Sequence, residues 1–412
     1  MLDKLRTLFG VLMLVVLSAV ESVSATVSHA YYDILPADTL RVSLVTCDPG
    51  PDIYQIFGHT AVRVQRSGNN AFDLVFNYGT FSFTDDFVWK FTKGETDYML
   101  AVYDFKHFII DYVMRGSTVY EQELNLTHSQ REQLFANLLV NARPENRAYR
   151  YNFLFDNCAT RPRDMVEGVL RSEAEQVVYD DPDNLYTFRE IVRHFGANYS
   201  WLTFGIDMAM GCDFDRTATW REHMFIPLYL KDAYDNASIV TEHNRADRDL
   251  VRETIVLHRA DGIPLMPPTP WYITPMACAL LLLMFTVVMT WIDMRRRSVS
   301  RWFDTIIGLL TFVSGLIIYF LVFFSQHPAT TINLNALWLT PLAIVPTVMQ
   351  YVPKAVAVVR WYHIVNMLLL ALFLILIVCG VQCVDNAVWP LIAVVALRSY
   401  NFVYCSKDKL KK

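Results

Sequence analysis

The pattern of apolar and polar positions changes twice along the chain. Residues 40–46 (LRVSLVT) alternate loosely and predict a strand, broken by the turn residues Cys47-Asp48-Pro49-Gly50-Pro51. Residues 61–65 predict a second strand, Ser67-Gly68-Asn69-Asn70 a turn, and residues 72–78 (FDLVFNY) the returning arm of a hairpin. Residues 81–106 are rich in aromatics and acids and show no clear period. Residues 119–126 predict a strand, and Thr127-His128-Ser129-Gln130 has the form of a capping box, opening a helix to about Ala142. After a loop over 143–150, the aromatic–apolar run 151–155 reads as a strand that stops at Asp156-Asn157, two N-cap formers, with helix continuing over 164–175. Asp180 to Asp183 is a turn, 188–195 is helical and 207–216 is a loop. Residues 222–234 are apolar enough for core or lid, and 236–270, polar and then proline-rich, read as a linker.

Beyond residue 270 long apolar runs take over. They cover residues 271–292, 305–324, 336–352, 364–382 and 386–404, five predicted spans, with the third short and holding Pro341 and Pro346. Arg398 lies near the end of the fifth, where snorkelling to the interface is the expected behaviour. Arg295, Arg296, Arg297 and Arg301 follow the first span, Lys354 and Arg360 follow the third, and Lys407, Lys409, Lys411 and Lys412 follow the fifth. The alternate loops, 325–335 and 383–385, carry neither Lys nor Arg, so the C-terminus is assigned to the cytoplasm and residue 270 to the outside. The N-terminus agrees: Lys4 and Arg6 precede a short apolar core over 9–20, with Val23-Ser24-Ala25 as the expected cleavage site and Ser28-His29-Ala30 as a second one. The expected organisation is therefore a signal peptide (1–25), an exported domain (31–265) and a transmembrane domain (271–405). Its fold class is α+β followed by an all-α membrane part.

Composition sharpens this in one respect. Apolar residues make up 53% of the chain, with the excess at the C-terminal end, while a net charge of −5 is uninformative about partners. No long basic run or aromatic–basic interleaving points to nucleic acid.

The candidate chemistry centres on Cys158. A thiol at a helix start, with Arg161 and Arg163 close by, is expected to favour the thiolate, the nucleophilic form. His59 follows a glycine at the start of the first hairpin strand, and Asn77 lies near the end of its partner, where antiparallel pairing brings the two together; Asp73 is the other polar candidate there. Cys47 is the rival nucleophile, although no helix is readable from it. A Cys47–Cys212 disulfide would leave Cys158 free, and Cys383 weakens that parity argument. The chain has no C-x-x-C, H-E-x-x-H, G-x-S-x-G or glycine-rich phosphate loop, so no metal and no cofactor is expected. Cys158 with His59 is the nucleophile–base pair that remains.

The order histidine, polar residue, cysteine resembles the circularly permuted papain-like enzymes, the lecithin:retinol acyltransferase and NlpC-type group. Cys47-Asp48-Pro49-Gly50, Phe57-Gly58-His59-Thr60-Ala61-Val62-Arg63-Val64, Phe76-Asn77-Tyr78-Gly79 and Asp156-Asn157-Cys158-Ala159-Thr160-Arg161-Pro162-Arg163-Asp164 are more closely similar to the Lnb family of Bacteroidota lipoprotein N-acyltransferases. His327-Pro328 and Asn333-Leu334-Asn335 extend the resemblance into the membrane part. It implies an inner-membrane enzyme that moves an acyl chain from a phospholipid to the α-amine of diacylated lipoproteins. Its catalytic residues would be Cys158, His59 and Asn77, with Asn157, Arg63, Tyr78, Arg161, His327, Asn333 and Asn335 in supporting or substrate-binding places. The alternative reading is a membrane-anchored cysteine peptidase or amidase acting on cell-wall peptides.

Overall fold

The computed structural model describes residues 39–68, 70–81, 85–241, 246–262 and 266–407. The expected signal peptide, residue 69 of the first turn and the lysines at 409, 411 and 412 lie outside these. Two compact units emerge, and both draw on the exported half of the sequence. One takes the described parts of Met1–Thr84, Thr96–Asp183 and Thr219–Leu265. The other takes Asp85–Glu95, Asn184–Ala218 and Met266–Lys412. The compact units thus interleave along the sequence before the boundary expected near residue 265.

The first unit is built on a seven-stranded antiparallel sheet. Its strands are β1 (Leu40–Cys47), β2 (His59–Arg66), β3 (Phe72–Thr80), β4 (Asp97–Asp104), β5 (Val119–Leu124), β6 (Ala148–Arg150) and the late strand β10 (Val251–His258), in the order β10-β5-β1-β2-β3-β4-β6. A three-stranded sheet joins β7 (Glu175–Tyr179), β8 (Ala237–Thr241) and β9 (Ala246–Asp249). β8 to β10 correct the linker assigned to 236–270. Its polar residues lie on strands, and β10 pairs with β5 at the sheet edge, where one face stays wet. Every residue of β1 is buried, which explains why its alternation was loose: a central strand covered on both faces needs none.

Helices cover both faces. α2 (Phe105–Arg115) lays Phe105, Phe108 and Tyr112 onto Val45, Cys47, Ala61, Val75 and Val119. α3 (His128–Asn141) and α8 (Pro227–Asp235) pack against β1, while α4 (Thr160–Ser172) packs against β2. The Thr127–Gln130 capping box forms as the sequence predicts, with Thr127 Oγ1 accepting from the Gln130 N–H and Gln130 Oε1 from the Thr127 N–H. Met224, Phe225 and Ile226, between α7 (Trp220–His223) and α8, are core rather than lid.

In the second unit, α1 (Phe87–Lys93), α5 (Phe188–Phe195) and α6 (Ser200–Ala209) accompany the membrane helices. Arg189 is its internal strut: fully buried, it pairs with Asp207 and Asp215 and donates to the carbonyls of Met210 and Gly211. Four helices among the described residues are long and apolar enough to cross a membrane. They contain α9 (Pro275–Arg296), α10 (Arg301–Phe323), α12 (Val356–Val378) and α13 (Val388–Cys405).

The third expected span, 336–352, is not one continuous helix. It breaks into 3-10 turns at Leu334–Leu337 and Pro341–Ala343 and the short α11 (Ile344–Met349), because Pro341 and Pro346 cannot donate to a continuous ladder. The segment nevertheless runs antiparallel along α10. Its Ala336 carbonyl accepts from Tyr319, Thr340 lies against Gly315, and Gln350 and Tyr351 bond Thr305. Broken backbone of this kind is tolerated at membrane depth where protein buries it.

Arg398 also departs from expectation. Rather than snorkelling, it is buried between Asp304 (2.5 Å) and Asp293 (2.7 Å) and donates to Thr290 Oγ1. Both carboxylates come from neighbouring helices, so no reading of α13 alone could reveal them.

Candidate active site

Cys158 is positioned by asparagines. Asn152 Oδ1 accepts the N–H groups of Leu154 and Phe155, and Asn152 and Asp156 exchange backbone hydrogen bonds, so residues 152–156 close into a turn. This corrects the strand expected over 151–155, since the Asn152 side chain takes the donors a ladder would need. Asn157 is buried, and its Oδ1 accepts from the N–H groups of Ala159 and Thr160 while its Nδ2 donates to the carbonyls of Phe153 and Phe225. Its place is to hold the turn on which Cys158 sits.

His59 begins β2, and Asn77 lies on β3 one residue beyond the Val62–Phe76 pair. His59 Nε2 meets Asn77 Oδ1 at 2.6 Å, and Asn77 Nδ2 donates to the Tyr103 hydroxyl at 2.7 Å. Because Asn77 presents its oxygen, Nε2 carries the proton, and Nδ1 is left as the basic nitrogen. The imidazole stacks on Tyr112 at 11° between planes, which fixes its orientation from below.

Gly79 brings cysteine and histidine together. It has φ +91° and stands in an irregularity of the β3–β4 ladder between Asn77 and Thr80. A Cβ placed on it would lie at ordinary contact distance from both Cys158 Cβ (3.4 Å) and His59 Cε1 (3.8 Å), so both side chains converge on this position, and its positive φ is what favours glycine there.

The electrostatics differ from the expected thiolate. Burial pushes the Cys158 thiol up to about 11, against the opposing effect of the Thr60 and Cys158 backbone N–H groups. Burial likewise lowers His59 to about 4, the Asn77 hydrogen bond opposing and the Arg115 charge adding to the shift. At neutral pH both partners rest uncharged. The neighbouring arginines are occupied: Arg161 is bidentate to Asp156 and lies 3.6 Å over the Tyr149 ring, and Arg163 bonds Asp164 and the Arg221 carbonyl. Their charges are spent before they reach the sulfur.

A family model for the Lnb N-terminal periplasmic domain matches residues 28–193, and one for the Lnb transmembrane domain matches residues 268–410. The chain belongs to the Lnb family. No curated protein and no solved structure matches it.

Other residues of the Lnb motifs sort by position. Arg63 faces α2, pairing with Asp73 and Glu121 (3.0 Å) over the Phe105 ring at 3.6 Å, so Asp73 serves Arg63 and not His59. Tyr78 is fully buried, edge-on to Tyr149. Cys47 is opposite His59 in the ladder but lies in the core under α2, where burial raises its thiol well above the usual range. Cys47 and Cys212 are both free thiols.

In the second unit, Asn333 donates to the carbonyls of Met208 and Ala209, and Asn335 to that of Met208, completing the end of α6. His327 Nε2 lies 2.5 Å from the Phe91 carbonyl oxygen. Tyr103, Tyr112 and Gly79 belong to the site but had no role in the sequence reading. A glycine two residues after a strand asparagine was the available cue for Gly79; nothing in the sequence marked the tyrosines.

Proposed function

We propose that this Lnb protein is a lipoprotein N-acyltransferase of the inner membrane, passing an acyl chain from a phospholipid through a thioester on Cys158 to the α-amine of an N-terminal diacylglyceryl-cysteine. The observation that carries the reading is the oriented imidazole: Asn77 holds Nε2–H, which leaves Nδ1 as the base, and His59 and Cys158 both approach Gly79. In the first step Cys158 attacks the ester carbonyl as its proton passes to His59 Nδ1. The carbon–oxygen bond then breaks, His59 returns the proton to the leaving alkoxide, and lysophospholipid departs. In the second step the lipoprotein amine attacks the thioester. An amide forms, the carbon–sulfur bond breaks, and the amine proton travels through His59 to the sulfur. The backbone N–H groups of Thr60 and Cys158, which favour the thiolate, are the donors assigned to the tetrahedral oxyanion.

The membrane part supports this reading, because both substrates are confined to a bilayer. With the broken segment along α10 counted as a crossing beside the four long helices, the parity fits an exported N-terminal part and a cytoplasmic C-terminus.

The test is mass spectrometry of a lipoprotein's N-terminal peptide from cells deficient in N-acylation, expressing wild type or Cys158→Ala. A third acyl chain with wild type alone is the expected result. A third chain in both strains would remove Cys158 from its role. None in either, with expression verified, would overturn the transferase and favour a cell-wall peptide substrate.

A further inference from the structure

α1 is a helix with no buried residue, although four of its seven residues are Phe, Val, Trp and Phe. Val88 and Trp89 are 74% and 57% exposed, and Phe91 is also exposed. An exposed apolar turn of this kind needs a covering partner.

Its anchorage indicates which. Although α1 comes from the exported half of the sequence, it is hooked to the far end of α10. The Gln326 N–H donates to the Lys93 carbonyl at 2.7 Å, Ser325 Oγ donates to the Thr92 carbonyl at 3.0 Å, and His327 caps the Phe91 carbonyl. The Trp89 ring lies 5.3 Å from that of Phe320, next to the exposed Phe323 and Phe324. Gly94, at φ +71°, permits the approach: a Cβ there would come within 2.8 Å of the His327 nitrogen. The apolar face of α1 is therefore continuous with the outward surface of a membrane-crossing helix, and one solvent must cover both.

We propose that α1 is an interfacial foot, embedded in the headgroup and ester layer of the leaflet on the outer side, with residues 325–327 as its clamp. An indole beside lysines at the end of a span is the composition the interface favours. Lys90 pairs with Asp86 and Lys93 with Glu95, so the surface is nearly neutral and fits a zwitterionic phospholipid layer without a need for anionic lipid. His327 is on this account a positioning residue for α1. The inference requires only the spans and is independent of the transfer chemistry.

The experiment uses full-length protein in phosphatidylcholine vesicles, with and without lipid brominated high on the acyl chain. Subtracting the emission of Trp89→Phe from that of wild type isolates Trp89. Blue-shifted emission quenched several-fold by the brominated lipid is expected. Emission typical of water and insensitive to bromine would overturn the proposal. Gly94→Val, which forces α1 off its clamp, is expected to abolish that quenching while leaving the tryptophans of the spans quenched as before. Unchanged Trp89 quenching in this variant would overturn the role of the clamp.

Discussion

The site around Cys158 and the cluster around Arg398 both bury titratable groups, and they manage the cost in opposite ways. In the first, cysteine and histidine stay neutral, joined to their surroundings by few hydrogen bonds. In the second, charges are buried and paired: Arg398 lies between two carboxylates, and Asp293 also accepts from Ser300 and Asn401. A neutral pair rests without charge and becomes an ion pair only as the proton moves, whereas a buried ion cluster cannot lose its cation without exposing a bare charge. The first arrangement suits chemistry and the second suits holding helices together.

The strongest test of that contrast is Arg398→Met. Removing the cation leaves Asp293 and Asp304 uncompensated, and a loss of about 3–5 kcal/mol is expected. Denaturation of the purified protein in detergent measures it, and adding Asp293→Asn with Asp304→Asn should recover most of the loss. A neutral outcome for the single variant would show that the cluster is not holding charge.

Asn77→Ala acts on the neutral site instead. Loss of the bond that orients His59 should slow transfer by about 10²-fold with folding retained, since the tautomer is no longer held. A single-turnover acylation rate followed by gel shift of the lipoprotein reads it, and a rate within twofold of wild type would remove Asn77 from the site.

The pH dependence is a finer probe. His59 is lowered from 6.5 to about 4, so it remains a base well below the usual histidine range. The acid limb of the transfer rate should fall near pH 4 and not near 6.5. Stability has the matching sign: the unfolded chain takes up the proton near 6.5 while the native chain does not until about 4. Stability from this group is therefore complete above 6.5 and declines as pH falls towards 4. An acid limb at 6.5 would show that the imidazole is more solvated than its packing against Tyr112 and Phe108 suggests.

The smallest effect is expected from Cys47→Ala. Trimming one atom from the core beneath α2 should cost about 1 kcal/mol, with transfer preserved, measured by thermal unfolding beside the same gel assay. Loss of transfer with the fold intact would revive Cys47 as nucleophile.

Much of this architecture was legible in the sequence because it depends on local chemistry. The hairpin of β2 and β3 was written in alternation and turn residues, the α3 start in its capping box, and the membrane segments in their length and lack of charge. The His59–Asn77 encounter followed from hairpin pairing, which relates residues only a short loop apart. Other features depend on segments far apart in the chain. Whether Cys158 is a thiolate turned on burial and on Asp156 claiming Arg161, and whether Arg398 snorkels turned on carboxylates from two other helices. The edge strand β10 looked like a linker because a polar strand at a sheet edge has no apolar pattern to betray it. Sequence by itself settled the first hairpin, the capped helix and the long apolar segments in their order, since propensity and periodicity act within a few residues. Protonation, ion pairing and the clamp on α1 were decided only by tertiary structure, because an electrostatic environment belongs to whichever groups the fold brings near.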